Sequence, residues 1–262
     1  MNIRFTPFVL LVLFASSCTQ DKMPTLIELD MELRNLVSEA SPTKDLNYYI
    51  LPTGSDLSVY PQDEVFNPLT PEKVELGKLL YFETGLAQDA LKPEGMGTYS
   101  CSTCHIAEAG FKSGNFQGVA DGGIGFGING TSRLRNLEYE EEEMDVQAAR
   151  VLTMVNVGFV ENTSWNGSFG ATGVNVGTEE VWAESENTAR NSMGMQGLET
   201  QNIDGILVHR LSYTPEVIDS LGYKDLFDLA FSDVDESERY TPLTGSLALS
   251  CLLYTSPSPR DS

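Results

Sequence analysis

The stretch "YSCSTCHIAEAGF", residues 99–111, constrains this chain more than any other. Cys101 and Cys104 stand three apart with His105 directly after, in a sequence holding only four cysteines and two histidines. Three-residue spacing puts both sulfurs on one side of a single helical turn. There they can add across the two vinyl groups of a haem, while the adjacent histidine turns back to bind the iron. Rival readings ask for more. A zinc site wants four ligands, and the one other plausible soft ligand is His209. A thioredoxin-like redox pair wants a βαβ setting that the surrounding sequence lacks. A structural disulfide leaves His105 without a role. The expectation is one covalent haem c, with Cys101 and Cys104 as its thioether links and His105 on its iron.

The N-terminus reads as a targeting segment. Asn2 and Arg4 precede "FVLLVLFASSC", an apolar run too short to span a bilayer that ends in small residues before Cys18. This resembles a lipoprotein signal over residues 1–17, with Cys18 carrying lipid after cleavage; an ordinary signal peptide is the close alternative. Either exports the chain, to the periplasm or, lipid-anchored, to the outer membrane. Haem c is attached outside the cytoplasm, so the two readings agree.

At the far end "CLLYTSPSPRDS", residues 251–262, resembles the translation of a sequencing adapter read in frame. Before it, "TPLTGSLALS" looks like a helix starting near Thr244. The expectation is a natural chain interrupted near Ser250; a genuine Ser/Pro-rich tail is the alternative. With Cys18 lipidated or removed and Cys251 in that segment, no disulfide framework exists.

Between these ends the chain reads as mainly helical with long loops. Residues 18–64 supply an N-terminal helix, with Leu26, Leu29, Leu33 and Leu36 on one face, and a polar linker. A domain over 65–250 opens with "NPLTPEKVELGKLLYFETGL", where Thr70 caps a helix begun by Pro71 and Val74, Leu79, Leu80 and Phe82 form the buried face. Residues 110–136 are Gly-rich loop, "LEYEEEEMD" is a solvated acidic segment, and "RVLTMVNVGFV" is a short apolar run. Further helices are expected in "LETQNIDGILVHRL", grouping Ile203, Ile206, Leu207 and Leu211, and in "TPEVIDSLGYKDLFDLAF", capped by Thr214-Pro215. No strand alternation or repeat stands out.

Charge narrows the partners. With 38 acidic against 16 basic residues the net charge is −22, which repels nucleic acid and anionic lipid and suits a cationic protein. Gly125-x-Gly127-x-x-Gly130, with Asp145 about 20 residues on, matches a dinucleotide fingerprint. No strand precedes it, residues 131–136 do not open an apolar helix, and an exported chain meets little NAD. A loop over the haem edge is the better reading.

Taken in order, four fragments resemble the bacterial di-haem cytochrome c peroxidase family, which includes the methylamine-utilisation di-haem oxidases: "NPLTPEKVELGKLLYFETGL", "SCSTCHIAEAGF", "RVLTMVNVGFVENTSWNG", and "LETQ" with "TPEVIDSLGYKDLFDLAF". The resemblance implies a cytochrome c-like helical domain, the first of two. It implies hydrogen peroxide as substrate, reduced with electrons from a small donor cytochrome, and a second haem in the full-length protein; it admits a calcium ion. It makes His105 the proximal ligand and Trp165 an electron relay between haems, with buried packing as the bland reading of that indole. It puts Glu199 and Gln201 in a Leu-Glu-x-Gln stretch whose glutamine lies near the distal pocket.

Departures from the family pattern bear on the chemistry. The loop after His105 has no histidine, and Trp165-Asn166-Gly167-Ser168 lacks the usual Asp and Arg. Where the family has a distal Glu followed by Met, this chain has His209-Arg210-Leu211. His209 falls off the helix's apolar stripe, which leaves three readings: a solvated side chain, a distal acid–base group, or a sixth iron ligand. A fragment with one haem would turn over slowly. The competing function is a mono-haem electron carrier, for which Met193 or Met195 would serve as the sixth ligand.

Overall fold

The computed structural model describes residues 24–52, 56–114, 118–125, 132–146 and 150–255. The expected signal segment with Cys18, Gly127 and Gly130 of the glycine pattern, and residues 256–262 lie outside them. The chain divides into two compact units, Met1–Leu51 and Pro52–Ser262.

In the first unit, helix α1 (Leu26–Ala40) begins with a capping box: the Glu28 N–H donates to Thr25 Oγ1 at 3.2 Å while the Thr25 N–H donates to Glu28 Oε2 at 2.7 Å. The leucines at 26, 29, 33 and 36 share a face as expected, yet no residue of this helix is buried.

The second unit opens before residue 65, because Asp63 is already buried in it and its Oδ2 accepts from the Gln196 N–H at 3.2 Å. Its elements run α2 (Pro71–Phe82), α3 (Cys101–Cys104), the strands β1 (Gly123–Ile124) and β2 (Leu134–Arg135), then α4 (Glu186–Ala189), α5 (Gly197–Val208), α6 (Pro215–Ser220), α7 (Lys224–Ala230), α8 (Glu236–Arg239) and α9 (Pro242–Thr255). The strands pair antiparallel, Gly123 opposite Arg135. Between α3 and α4 the described residues run mostly through turns and short 3-10 segments, and the expected apolar run holds one such turn, Val157–Phe159.

Local signals set the helix starts. Thr70 accepts from the Lys73 N–H at 3.2 Å ahead of Pro71, and Thr214 accepts from the Val217 N–H at 3.3 Å ahead of Pro215. The segment after Thr214 is not continuous, because Gly222 at φ +79° terminates α6 and α7 restarts at Lys224. Helix α9 starts at Pro242, slightly before the expected Thr244, and continues without a break past Ser250 through Thr255, burying Cys251, Leu253 and Tyr254.

The core is organised around α9, which packs against α2 and α5. The buried stripe of α2 is Lys73, Leu76, Gly77, Leu80 and Tyr81, the i, i+3, i+4, i+7, i+8 pattern of one helix face. Of the expected face only Leu80 is fully buried; Leu79 and Phe82 are exposed and Val74 half-buried. The reason is Gly77, which lets the two backbones meet: a Cβ there would lie 2.1 Å from the Ala248 carbonyl oxygen. Lys73 is tolerated inside because its Nζ donates to the Pro68 carbonyl at 3.2 Å and to Asn67 Oδ1 at 3.3 Å. Leu76, Leu80, Leu86, Tyr99, Ile206, Tyr213, Phe227, Phe231, Leu247 and Leu249 belong to one continuous cluster, with Cys101 and Cys104 packed against it. Among the described residues no helix is long and apolar enough to cross a membrane.

Candidate functional site

The Cys-x-x-Cys-His segment is held rigidly on this core. Ser100 caps α3 reciprocally with Thr103, and the His105 N–H donates to the Cys101 carbonyl at 3.0 Å. The Tyr81 hydroxyl donates to the His105 carbonyl. Gly118 presses on Cys104; a Cβ at that position would sit 2.4 Å from its Sγ. No cysteine among the described residues is in a disulfide.

Electrostatics separate this pair of thiols from a redox pair. Burial pushes Cys101 up to about 11 and Cys104 up to about 12, the opposite of the depressed values that make disulfide oxidoreductases reactive. Burial likewise drives His105 down to about 4, against the opposing hydrogen bond that it donates to the Phe111 carbonyl, so its ring is neutral at physiological pH. Its Nδ1 lies 3.1 Å from the Phe111 carbonyl oxygen and must be the protonated nitrogen. The Nε2 lone pair is thereby reserved for a metal, the arrangement that orients metal-binding histidines generally.

These residues open onto a cavity of about 350 Å³, within the ~300–1,000 Å³ typical of small-molecule and cofactor sites. Cys101, Cys104 and His105 form part of its wall, Leu152, Met154, Val157 and Val160 another, and Leu249 and Leu253 of α9 a third. Helix α5 contributes Gln201, Asn202 and Gly205, and its C-cap residue His209 follows. A mostly apolar chamber whose wall carries two buried thiols and a neutral histidine with one nitrogen anchored fits a covalently attached haem. It does not fit a zinc site: among the described residues no group of three or more His, Cys, Asp or Glu could hold a metal ion.

His209 is half-buried, outside the core. It caps the end of α5, lines the cavity, and has its Nδ1 2.6 Å from Asp145 Oδ2. Asp145 was not among the residues expected in the site; it hides in sequence at the end of an acidic run. Two of its neighbours are engaged as well, Tyr139 being buried and Glu143 paired with Lys92 at 2.6 Å, while Glu138, Glu140, Glu141 and Glu142 are exposed as expected. Arg133 is buried nearby with its guanidinium spent on carbonyls, Nε to Val119 at 2.6 Å and Nη1 to Thr98 at 2.7 Å, and it lies 5.8 Å from the Tyr99 ring.

The other expected residues lie elsewhere. Glu199 is wholly buried but does not line the cavity; Asn67 Nδ2 donates to its Oε1 at 3.0 Å and the Tyr254 hydroxyl to its Oε2 at 3.1 Å, tying the chain ahead of α2 to α5 and α9. Burial raises its carboxyl above the ordinary range, against those two hydrogen bonds. Trp165 is 91% exposed, so the reading of that indole as buried packing does not hold. Met195 is in the core and Met193 exposed, and neither lines the cavity, whereas Met154 does.

Fold and site together define a helical domain built around a c-type haem attachment segment. Residues 71–258 match the model of the di-haem cytochrome c peroxidase family, well over half of the chain. The chain belongs to that family, whose members are haem-containing oxidoreductases of the c type. It is similar to the methylamine utilization protein MauG of Methylorubrum extorquens, 43% identical over 56 residues that span 21% of this chain and 14% of that protein. Among solved structures it is similar to a MauG-like protein associated with microbial copper homeostasis, at 18% identity and a TM-score of 0.44, covering 79% of this chain and 46% of the other. The chain thus spans less than half the length of these relatives.

Proposed function

We propose that this chain is the peroxide-handling haem domain of an exported peroxidase. The observation that carries the reading is the single cavity into which Cys101, Cys104 and His105 open from one side of the sequence and an Asp145-bound His209 from the other. Haem c, when bound, would supply an iron held by His105 at which peroxide takes up two electrons and two protons to give two waters. Cys101 and Cys104 hold the macrocycle, and the Phe111 carbonyl keeps His105 Nε2 unprotonated for the iron. His209 Nε2 takes the proton from one peroxide oxygen and returns it to the departing one. The apolar wall of Leu152, Val157, Leu249 and Leu253 limits water around that exchange. A reduced donor cytochrome supplies the electrons, with the exposed Trp165 indole as their relay.

The test uses the haem-loaded chain mixed with hydrogen peroxide in a stopped-flow spectrometer. His209→Gln should lower the second-order rate by about 10²–10⁴-fold, the usual worth of a positioned acid–base group. An unchanged rate would remove His209 from the chemistry. Met154 favours one second reading, an electron carrier with sulfur as the sixth ligand. A low-spin ferric spectrum that turns high-spin in Met154→Leu would support the carrier; a high-spin spectrum in the unsubstituted protein supports the peroxidase. Export with a lipid on Cys18 belongs to the same proposal, and the mass of the mature N-terminus tests it.

A further inference from the structure

We infer that Asp145 is the positioning residue of this site: it fixes His209 as the Nδ1-protonated tautomer and turns Nε2 toward the cavity. The inference rests on the reading of His209 as the proton-handling group. Asp145 Oδ2 lies 2.6 Å from His209 Nδ1, and its side chain is 6% exposed against 33% for the histidine. An ionised carboxylate only accepts, so Nδ1 carries the hydrogen and the lone pair of the neutral ring sits at Nε2. A charged acceptor shielded from water makes that bond stronger than a neutral one.

Asp145 can hold the ring because it is itself held. Its N–H donates to the Asp121 carbonyl at 2.9 Å and its carbonyl accepts from the Ala120 N–H at 3.1 Å, beside a bridge between Val119 and Val146. Asp121 is wholly buried, and its side chain accepts from the Tyr139 hydroxyl at 2.8 Å and the Leu91 N–H at 2.6 Å. The same carboxylate forms an ion pair with Arg210, the residue after His209, and Arg210 Nη1 also reaches the Glu143 carbonyl at 3.1 Å. Arg210 sits at φ +54°, a left-handed conformation that a non-glycine residue keeps only where its surroundings impose it. Two successive residues at the end of α5 are therefore clamped by two carboxylates that are themselves joined through the backbone. Asp121 sets where the chain turns; Asp145 sets how the ring sits.

The sequence makes the test direct, since the chain has only two histidines. In the 15N-histidine-labelled, haem-loaded protein, converted to the diamagnetic ferrous carbonyl form, His105 is the iron-bound ring and the remaining signals report His209. At a pH where that ring no longer titrates, the unsubstituted protein should show a protonated Nδ1 and a bare Nε2. Asp145→Leu removes the acceptor at similar volume and should lower the ratio of Nδ1–H to Nε2–H tautomer by tenfold or more, the scale of a hydrogen bond to a charged group. Asp145→Asn keeps the size but offers an NH2 that can donate to Nδ1 and favour the Nε2–H ring, so it should lower the ratio too; this variant carries the test should the leucine variant fail to take up haem. A predominantly Nε2-protonated ring in the unsubstituted protein, or an unchanged ratio in the variants, overturns the inference. The peroxide rate of His209→Gln separates the two claims: if it is unaltered while the tautomer responds to Asp145, the positioning stands and the proton-handling reading falls.

Discussion

Two glycines in helix interiors should respond to the same substitution with opposite sign. In α5, nothing lies within 4 Å of a Cβ built on Gly205. Gly205→Ala therefore gains only the helix-propensity difference, stabilising by about 0.5–1 kcal/mol. In α2, a Cβ on Gly77 would lie 2.1 Å from the Ala248 oxygen and 2.7 Å from its carbonyl carbon, where ordinary contact begins at 3.4 Å, a deficit of about 1.3 Å. Neither neighbour is a flexible side-chain tip, so α2 and α9 must move apart along the seam that buries Leu76, Leu80, Leu247 and Leu249. Overpacking of that kind costs about 1–3 kcal/mol and exceeds the propensity gain. Urea unfolding of the haem-free variants, since Gly205 lines the cavity that haem would occupy, followed by far-ultraviolet circular dichroism at constant m, measures both. A Gly77→Ala variant as stable as Gly205→Ala would refute the claim that backbone contact at Gly77 sets the spacing of the two helices.

Replacing Cys101 and Cys104 together by alanine should abolish haem that survives denaturation, read by haem staining of a denaturing gel; retained haem would sink the thioether assignment. Glu199 gives a pH signature. Burial raises its folded-state carboxyl above the unfolded value, so its contribution to stability is present below the unfolded value and is lost as pH rises through the folded one. Glu199→Gln, neutral throughout, should gain on the unsubstituted protein in urea midpoint as pH goes from about 4 to about 8, and a constant difference would contradict the burial argument. Trp165→Phe should change stability by less than about 0.5 kcal/mol, as expected of an exposed side chain, while slowing oxidation of a reduced cytochrome donor; an equal rate would remove the relay role.

What could be read from sequence was what the chain encodes locally. Thr70-Pro71 and Thr214-Pro215 announce helix starts because a cap is satisfied within three residues. The haem segment was legible for the same reason, its two thiols and imidazole being consecutive on one turn. The buried face of α2 was not, because hydrophobicity ranks Leu79 and Phe82 above Lys73 and Gly77. Lysine is inside through its bonds to Asn67 and Pro68, and glycine through a contact its lack of a side chain permits. His209 and Asp145 are 64 residues apart, and an aspartate after four glutamates gives no sign of being the buried one. Glu199 stood out in sequence through its neighbourhood to Gln201, yet at about 100° per residue the two positions lie about 200° apart around the helix, so Gln201 lines the cavity while Glu199 turns into the seam with α9.

Because Cys101 and Cys104 pack against the main hydrophobic cluster while opening onto the chamber, a tethered macrocycle would fill what is otherwise a hollow beside the core. Thermal or chemical unfolding would then release side chains but not the group that completes the packing. Refolding would proceed with its ligand at the high effective concentration that a short covalent link provides, independent of how dilute the protein is. A noncovalent cofactor loses its hold as its protein is diluted. Here the recovery of the folded state should be insensitive to concentration.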